Sequence, residues 1–209
     1  MNRLLGISSA LTVAAAVLGF AFSLVMSDEN GAYAASLALS WAYVIMAVSF
    51  SATAASDRRI AGGAATAFAI LYAGFATAVY FVLLTTVLHR TAPSDVLKVL
   101  SYQELGSVMF NLELLGYALM AVSTLFLGLT ISTQTGVARW LRWMLLGHGI
   151  FAPICIALPV LNVFGSMPRS SGAAVGVAIS FGWCAYFMPV AMLAYYYFRA
   201  ALPVHSTRA

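Results

Sequence analysis

Charged residues are scarce in this chain. Asp, Glu, Lys and Arg together make up only 8% of its 209 residues. A soluble globular domain carries about 25% charged residues, because water must solvate its surface. The mean hydropathy of +0.96 indicates that lipid solvates this chain instead. No stretch is polar enough to form a separate soluble domain, so we predict a single transmembrane domain over residues 1–209.

Cysteine and lysine are rare in this chain, and the common catalytic motifs are absent. Cys155 and Cys184 lie in separate apolar runs, which predicts neither a disulfide framework nor a zinc site. The single lysine, Lys98, lies between apolar runs, so a retinal Schiff base has no attachment point. There is no H-E-x-x-H, P-loop or G-x-S-x-G motif, and no aspartate lies inside an apolar run. We therefore expect no metal and no cofactor.

Long apolar runs are what the sequence does contain. About 20 residues of helix cross the hydrocarbon, whereas a membrane β-strand needs only about 10 and alternates polar with apolar side chains. Short links between the runs make successive helices antiparallel neighbours. We predict an all-α, polytopic integral membrane bundle with six transmembrane helices, over residues 4–26, 32–55, 60–88, 105–131, 140–163 and 173–198.

Two segments allow more than one interpretation. The first run has the basic Arg3 and the small residues Ala32 and Ala34 of a signal peptide. Its apolar length of about 22 residues exceeds the 7–15 of a signal-peptide core, so we predict a retained span. The one long connection, 89–104, begins a helix pattern at Pro93. We favour a short helix in the membrane interface there over an early start of the fourth span.

Basic residues are distributed unevenly between the two ends of the predicted helices. With a cytoplasmic N-terminus, seven fall on the cytoplasmic side and three on the other. Because cytoplasmic loops are enriched in Lys and Arg, we predict that both termini are cytoplasmic (N-in/C-in), in the cell (inner or plasma) membrane. The basic residues form no continuous stripe, so we expect membrane lipids and not nucleic acid as partners. The seven are Arg3, Arg58, Arg59, Arg139, Arg142, Arg199 and Arg208; the three are Arg90, Lys98 and Arg169.

Small residues and prolines mark sites of helix packing. Gly172, Gly176 and Ser180 recur every four residues in the last run. Such a stripe lets a second helix approach closely, from this chain or from a partner membrane protein. Pro153 and Pro159 remove backbone donors from the fifth run and should kink it, and a kinked helix often borders a cavity.

Glu113 is the one acidic residue well inside a predicted span. A charged side chain at the bilayer centre costs about 2.5–3.5 kcal/mol on insertion scales, so such a carboxyl is usually protonated, paired or functional. The residues that share a helix face with Glu113 form a stripe, which we interpret as an inward-facing surface. On it, Glu113 and Tyr117 are candidate ligand-binding residues. The alternative is a structural glutamate held by hydrogen bonds. Helical spacing places on this stripe Gly106, Glu113, Tyr117, Met120 and Thr124.

His148 and Asn162, in the fifth run, are the other candidate ligand-binding residues. We expect His148 to lie about one to two helical turns from Glu113 in depth, which permits coupling through water or a ligand without a direct bond. The alternative is a histidine that hydrogen-bonds a neighbouring helix. Weaker candidates, since aromatic residues commonly fill the core or the interface, are Tyr72, Tyr80, Trp183 and Tyr186.

Three functions remain open at this point. We favour a protein that binds or transports a small apolar or amphipathic ligand within the helix bundle, with Glu113 as its polar group. The second is a non-catalytic accessory or assembly subunit, whose small-residue stripes contact partner helices. The third and least favoured is a membrane-embedded enzyme acting on a lipid or quinone, with Glu113 and His148 as acid and base. No inverted repeat is visible, which argues against a transporter built from two related halves.

Overall fold

The computed structural model of the protein describes residues 2–102, 106–166 and 168–200. All regular secondary structure within these ranges is helical. Six segments are long and apolar enough to cross a membrane, as the sequence predicts. The helices are α1 (Asn2–Met26), α2 (Glu29–Thr53), α3 (Arg59–Val82), α4 (Ser94–Leu100), α5 (Val108–Thr130), α6 (Gly136–His148), α7 (Phe151–Val160) and α8 (Arg169–Ala200).

The helix ends follow from local capping. α2 begins at Glu29, three residues before the predicted start, because the Asp28 carbonyl already accepts a hydrogen bond from the Ala32 N–H (3.1 Å). α5 begins at Val108, where the Ser107 hydroxyl accepts from the Phe110 N–H at 3.2 Å. The predicted start of this span, Leu105, lies outside the described residues, as does Arg208.

The third span continues past α3 through a π-helical turn, Leu83–Val87. Here the Leu88 N–H donates to the Leu83 carbonyl, five residues earlier, at 3.0 Å. The continuous run of 59–87 matches the predicted 60–88. π-helical turns are rare and occur often beside functional sites, and this one follows Tyr80 by less than one turn.

The connection after the third span contains a short helix, as we favoured. α4 follows Pro93, and its exposed side chains include Val96, Lys98 and Val99. The chain leaves the helical conformation at Ser101 (ψ 126°), so α4 is separate from α5 and is not its early start.

The fifth span is broken into α6 and α7 at Gly149 and Ile150, near its middle. Pro153 has no N–H to donate to Gly149, and its ring clashes with that carbonyl in a regular helix. The Gly149 carbonyl accepts instead from the Ala152 N–H (3.1 Å), a bond that spans only three residues. The helix is therefore interrupted four residues before Pro153, one of the two prolines from which we predict a kink. The span also starts earlier than predicted, since the Thr135 hydroxyl caps α6 by accepting from the Ala138 N–H.

The spanning helices close into a ring. α1 packs on α2, α2 on α3, α3 on α5, α5 on both α6 and α7, α6 on α8, and α8 on α1. Among the described residues α7, unlike α6, makes no extensive contact with α8, and we call the space between them the α7–α8 gap. It lies on the side of the ring that carries α4, which we call the α4 side; the opposite, arginine side carries Arg58, Arg139 and Arg199.

Large side chains fill the centre of the ring. Tyr43, Tyr72, Met120 and Phe187 are at most 2% exposed. The Tyr43 hydroxyl donates to Ser123 Oγ (2.9 Å), and the Ser123 hydroxyl donates to the Ala65 carbonyl at 2.7 Å. The hydroxyls of Tyr43 and Ser123 are thus both paired, as buried polar groups usually are.

Close backbone contacts hold neighbouring helices together. A Cβ atom at Gly62 of α3 would lie 2.6 Å from Ser51 Oγ and 3.2 Å from Ser51 Cα of α2. One at Gly6 of α1 would lie 2.7 Å from the Phe198 ring of α8. Because lipid is as apolar as a leucine side chain, tight packing at such positions drives helix association in place of apolar burial.

Candidate functional site

A cavity of about 200 Å³ lies on the α4 side of the ring, between α5, α7 and α8. Its walls are largely apolar and aromatic, with Tyr117 from α5, Cys155 from α7 and Trp183 from α8. Glu113 supplies a carboxyl to the same surface. An engineered cavity of about 150 Å³ admits benzene, so this one has room for a small organic group.

The cavity opens sideways through the α7–α8 gap. Ile154 of α7 and Ile179 of α8 line the cavity, and they remain 45% and 46% exposed. The opening therefore lies in the apolar outer surface of the ring. On the arginine side the cavity ends at Tyr117 and Trp183, beyond which the ring centre is filled.

Glu113 lies in the second turn of α5 and is 7% exposed. The Tyr80 hydroxyl of α3 donates a hydrogen bond to its Oε1 atom. The Tyr102 hydroxyl, from the link between α4 and α5, also hydrogen-bonds this carboxyl. The Tyr117 hydroxyl lies 3.4 Å from the Tyr80 hydroxyl, so three phenols surround one acidic group.

Tyr102 is partly buried, outside the spanning helices. Its removal from water raises the pKa of Tyr102 well above its usual range, and the nearby Glu113 carboxyl raises it further. The phenol therefore keeps its proton and can donate it in a hydrogen bond to an ionised Glu113. Such donors stabilise an ionised carboxylate, because hydrogen bonds to charged groups are stronger than those between neutral groups.

Among the described residues that line the cavity none is basic, so none of them offers a cation to Glu113. The one ion pair within the described ranges joins Arg58 to Asp57, on the arginine side. The phenols thus replace part of the hydration that the carboxyl loses, but they bring no opposite charge. A buried carboxylate in this state is costly unless it takes up a proton or a positive ligand.

The predicted inward stripe of α5 is confirmed over most of its length. Glu113, Met120 and Thr124 are buried, and Tyr117 is partly buried. Gly106 is the exception, because it precedes the helix and adopts a left-handed conformation (φ 84°). Within α5 the stripe therefore starts at Glu113.

His148 bridges three helices and is 1% exposed. The Trp183 Nε1–H of α8 donates to its Nε2 atom at 3.1 Å. Its Nδ1 atom lies 2.8 Å from the Thr124 hydroxyl of α5, which in turn donates to the Ala121 carbonyl (2.8 Å). An indole N–H can only donate, so Nε2 is the acceptor and Nδ1 carries the proton of a neutral imidazole. This geometry matches the structural alternative, a histidine that bonds to neighbouring helices.

The structure does not bring His148 to the cavity. Its partner Thr124 lies eleven residues after Glu113 on α5, about 16 Å along the helix axis and about three turns. The separation in depth is larger than the one to two turns we expected, because the break at Gly149 leaves His148 on α6, toward the arginine side. Trp183 lies between them: its indole bonds His148 and its ring meets the Tyr117 ring edge-on, at 5.4 Å between centroids.

Of the other two candidates, Tyr117 lines the cavity and Asn162 does not. Asn162 lies in the turn that follows α7, in a left-handed conformation (φ 49°). Asparagine tolerates this conformation better than most residues, so its place in the turn accounts for the residue type. The sequence placed it within the fifth span because the apolar run continues to Val163 past the end of α7.

The small-residue stripe of α8 faces the cavity in part. Gly176 and Ser180 line it, and the space beside Gly176 is open, since a Cβ atom there would meet nothing within 4 Å. The Ser180 hydroxyl donates to the Gly176 carbonyl at 2.9 Å, so it is internally satisfied. Gly172 is buried. A contact of this stripe with a partner helix stays a prediction, while the structure gives the stripe a second use as a cavity wall.

Sequence reasoning undervalued the tyrosines around Glu113. Tyr80 was a weak candidate and Tyr102 was not considered, although both hydrogen-bond the carboxyl. Tyr33 adds to the group, with its ring 6.0 Å from that of Tyr80 and 6.4 Å from that of Tyr102. The sequence does contain a signal for this group. All these tyrosines lie near span ends that antiparallel topology places on the same side of the bundle as Glu113.

No cluster of three His, Cys, Asp or Glu residues that could hold a metal ion occurs in the described part of the chain. Cys155 and Cys184 are free thiols. The arrangement can therefore offer one carboxyl, several phenols and aromatic walls to an organic group. Comparison of the chain with protein-family models, with characterised proteins and with solved structures found no match.

Proposed function

We propose that this protein binds a small apolar or amphipathic ligand within its helix bundle, with Glu113 and Tyr117 among the contacts. The observation that carries the proposal is the cavity, a largely apolar and aromatic space with one buried carboxyl. Ligand pockets typically combine apolar walls with a few fixed polar groups that orient the ligand. The ligand would reach the cavity from the lipid through the α7–α8 gap, with its apolar part beside Ile154 and Ile179.

Binding has more support than transport. The side chains beyond Trp183 that fill the ring, among them Phe187 and Met120, are 0% exposed. Transport would require this core to open. An enzyme that pairs Glu113 with His148 has less support still, because both nitrogens of His148 are occupied by Trp183 and Thr124.

We further propose that the protein spans the cell (inner or plasma) membrane with both termini in the cytoplasm. Of the basic residues within the described ranges, six lie on the arginine side and three on the α4 side. The excess of arginine is typical of a cytoplasmic face. In this orientation the cavity lies in the outer half of the membrane.

Native mass spectrometry of the protein, released gently from its own membrane, tests the ligand proposal. We expect one bound small molecule per chain, identified after extraction. Gly176→Leu should abolish its binding by filling the cavity without a clash. Gly182→Leu is the matched control, because Gly182 lies on the same helix with open space beside it but does not line the cavity.

A chain that carries no small molecule but a second polypeptide would sink the proposal. That outcome would establish the accessory-subunit alternative, and cross-linking from α8 would show whether Gly172, Gly176 and Ser180 form the contact. A small molecule that survives unchanged in Gly176→Leu would place the ligand elsewhere on the protein.

A further inference from the structure

Glu113 is an acidic group aimed into an apolar cavity, and the described residues include no counter-ion for it. Its side chain is more than nine-tenths buried and it lines the cavity. The groups that face it are phenols, from Tyr80, Tyr102 and Tyr117, and none of the described lining residues is basic. The described lining of the site therefore contains no positive charge, and a bound ligand could supply one.

The walls around the carboxyl also suit a cation. The rings of Tyr117 and Trp183 meet edge-on at 5.4 Å, and those of Phe110 and Phe164 meet edge-on at 5.0 Å. All four line the cavity together with Tyr102. The faces of aromatic rings carry partial negative charge and attract alkylammonium groups, which bring little hydration to be removed.

Other ligand classes fit less well. An anion would meet Glu113 with no basic residue in the described part of the lining to offset the repulsion. A metal ion prefers several oxygen or nitrogen ligands, and the described residues hold no cluster of three such side chains. A neutral apolar molecule would require the carboxyl to take up a proton, and would make no use of the phenol donors that stabilise its charged form.

We infer that the cavity binds an amphipathic organic cation, a protonated amine or a quaternary ammonium group carried on an apolar chain. This inference rests on the proposed function and names its ligand class. The ammonium group lies between the Glu113 carboxylate and the rings of Tyr117 and Trp183. The apolar chain leaves through the α7–α8 gap, past Ile154 and Ile179, into the lipid.

Calorimetric titration of the full chain in nanodiscs of zwitterionic lipid tests the inference, with empty nanodiscs as the blank. The probes are octyltrimethylammonium, the neutral octanol and the anionic octyl sulfate, which share one apolar chain. We expect the cation to bind roughly tenfold more tightly than either of the others. Glu113→Gln should remove this advantage, whereas Gly176→Leu should weaken all three probes and Gly182→Leu none.

The outcomes separate this inference from the proposed function. Binding of octanol that Gly176→Leu abolishes, without any advantage for the cation, would overturn the cation inference and leave a ligand cavity in place. Failure of all three probes to bind would overturn both. The comparison of the three probes on the unmodified protein decides the ligand class even where Glu113→Gln does not fold.

Discussion

At the scale of single residues, Glu113 illustrates how this chain keeps a carboxyl in an apolar region without an ion pair. Its partners are neutral donors from two other segments, α3 and the link before α5. Phenols can stabilise the charge while leaving the net charge of the site unchanged. The site therefore stays open to a positive ligand that an arginine partner would exclude.

Tyr80→Phe should lower the free energy of unfolding by about 1–3 kcal/mol, because it removes a hydrogen bond to a buried carboxyl. Denaturation of the protein in mild detergent, followed by circular dichroism, measures the loss. In a Glu113→Leu background the same substitution should cost much less, since the bond is already absent. Additive effects of the two substitutions would contradict the pairing of these residues.

The residue pattern predicted Glu113 and Tyr117 but not their partners. Helical periodicity decides which side chains share a face of one helix, and that was enough for the stripe on α5. It does not decide the register between two helices, so the contact of Tyr80 with Glu113 could not be derived. For His148 both interpretations were open from the sequence, and the deciding facts are the positions of Trp183 and Thr124 on other helices.

At the scale of helices, the spans themselves were predictable and their interruptions only in part. Apolar length predicted six helices long enough to cross a membrane, and of the two prolines in the fifth, Pro153 lies next to an interruption of the helix while Pro159 lies within α7. The π-helical turn at Leu83–Val87 was not foreseen, because it leaves no mark in composition. The predicted end of the fifth span, Val163, lies three residues after the end of α7 at Val160. The difference arises because Leu161 and Val163 are apolar although they lie beyond the helix.

Pro153→Ala should straighten the fifth span, because the restored N–H can donate to the Gly149 carbonyl in a regular helical turn. Spin labels at the exposed positions 143 of α6 and 160 of α7, in a chain with Cys155 and Cys184 replaced by alanine, should move apart in pulsed dipolar spectroscopy. Pro159→Ala is the control, since Pro159 lies at the end of α7. An unchanged distance in Pro153→Ala would show that the break has another cause.

Gly62→Ala should lower the free energy of unfolding by about 1–3 kcal/mol, because its new Cβ atom would overlap with Ser51 on α2. Gly63→Ala, one position further along α3, meets nothing within 4 Å and should be neutral or stabilise the protein by up to about 1 kcal/mol. The pair is compared by the same denaturation measurement. Equal effects of the two substitutions would refute the close contact of α2 with α3.

At the scale of the whole molecule, the ring was only half predictable. Short links establish that neighbours in sequence pack together, as in the pairs α1–α2 and α2–α3. They say nothing of how the last helix meets the first, nor that α7 leaves a gap beside α8. The cavity results from that gap. Individual candidate residues could therefore be predicted from the sequence, but not that they line one cavity.

The proposed orientation predicts which links face the outside of the cell. In a chain with both native cysteines replaced by alanine, a membrane-impermeant thiol reagent should label Asp28→Cys and Asp95→Cys in intact cells. Asp57→Cys and Gln134→Cys should react only after the cells are opened, because the positive-inside rule assigns their links to the cytoplasm. The reverse pattern would mean that the cavity lies in the cytoplasmic half of the membrane.

The contact between α1 and α8, where Gly6 meets the ring of Phe198, can form only late in synthesis, because it joins the first helix to the last. A ribosome adding about 5–20 residues per second needs roughly seven to thirty seconds to pass from the end of α1 to the start of α8. Through that interval Phe198 is not yet available to cover its contact face on α1. Because α8 also supplies one wall of the cavity, the protein acquires its ring and its cavity in the same late step.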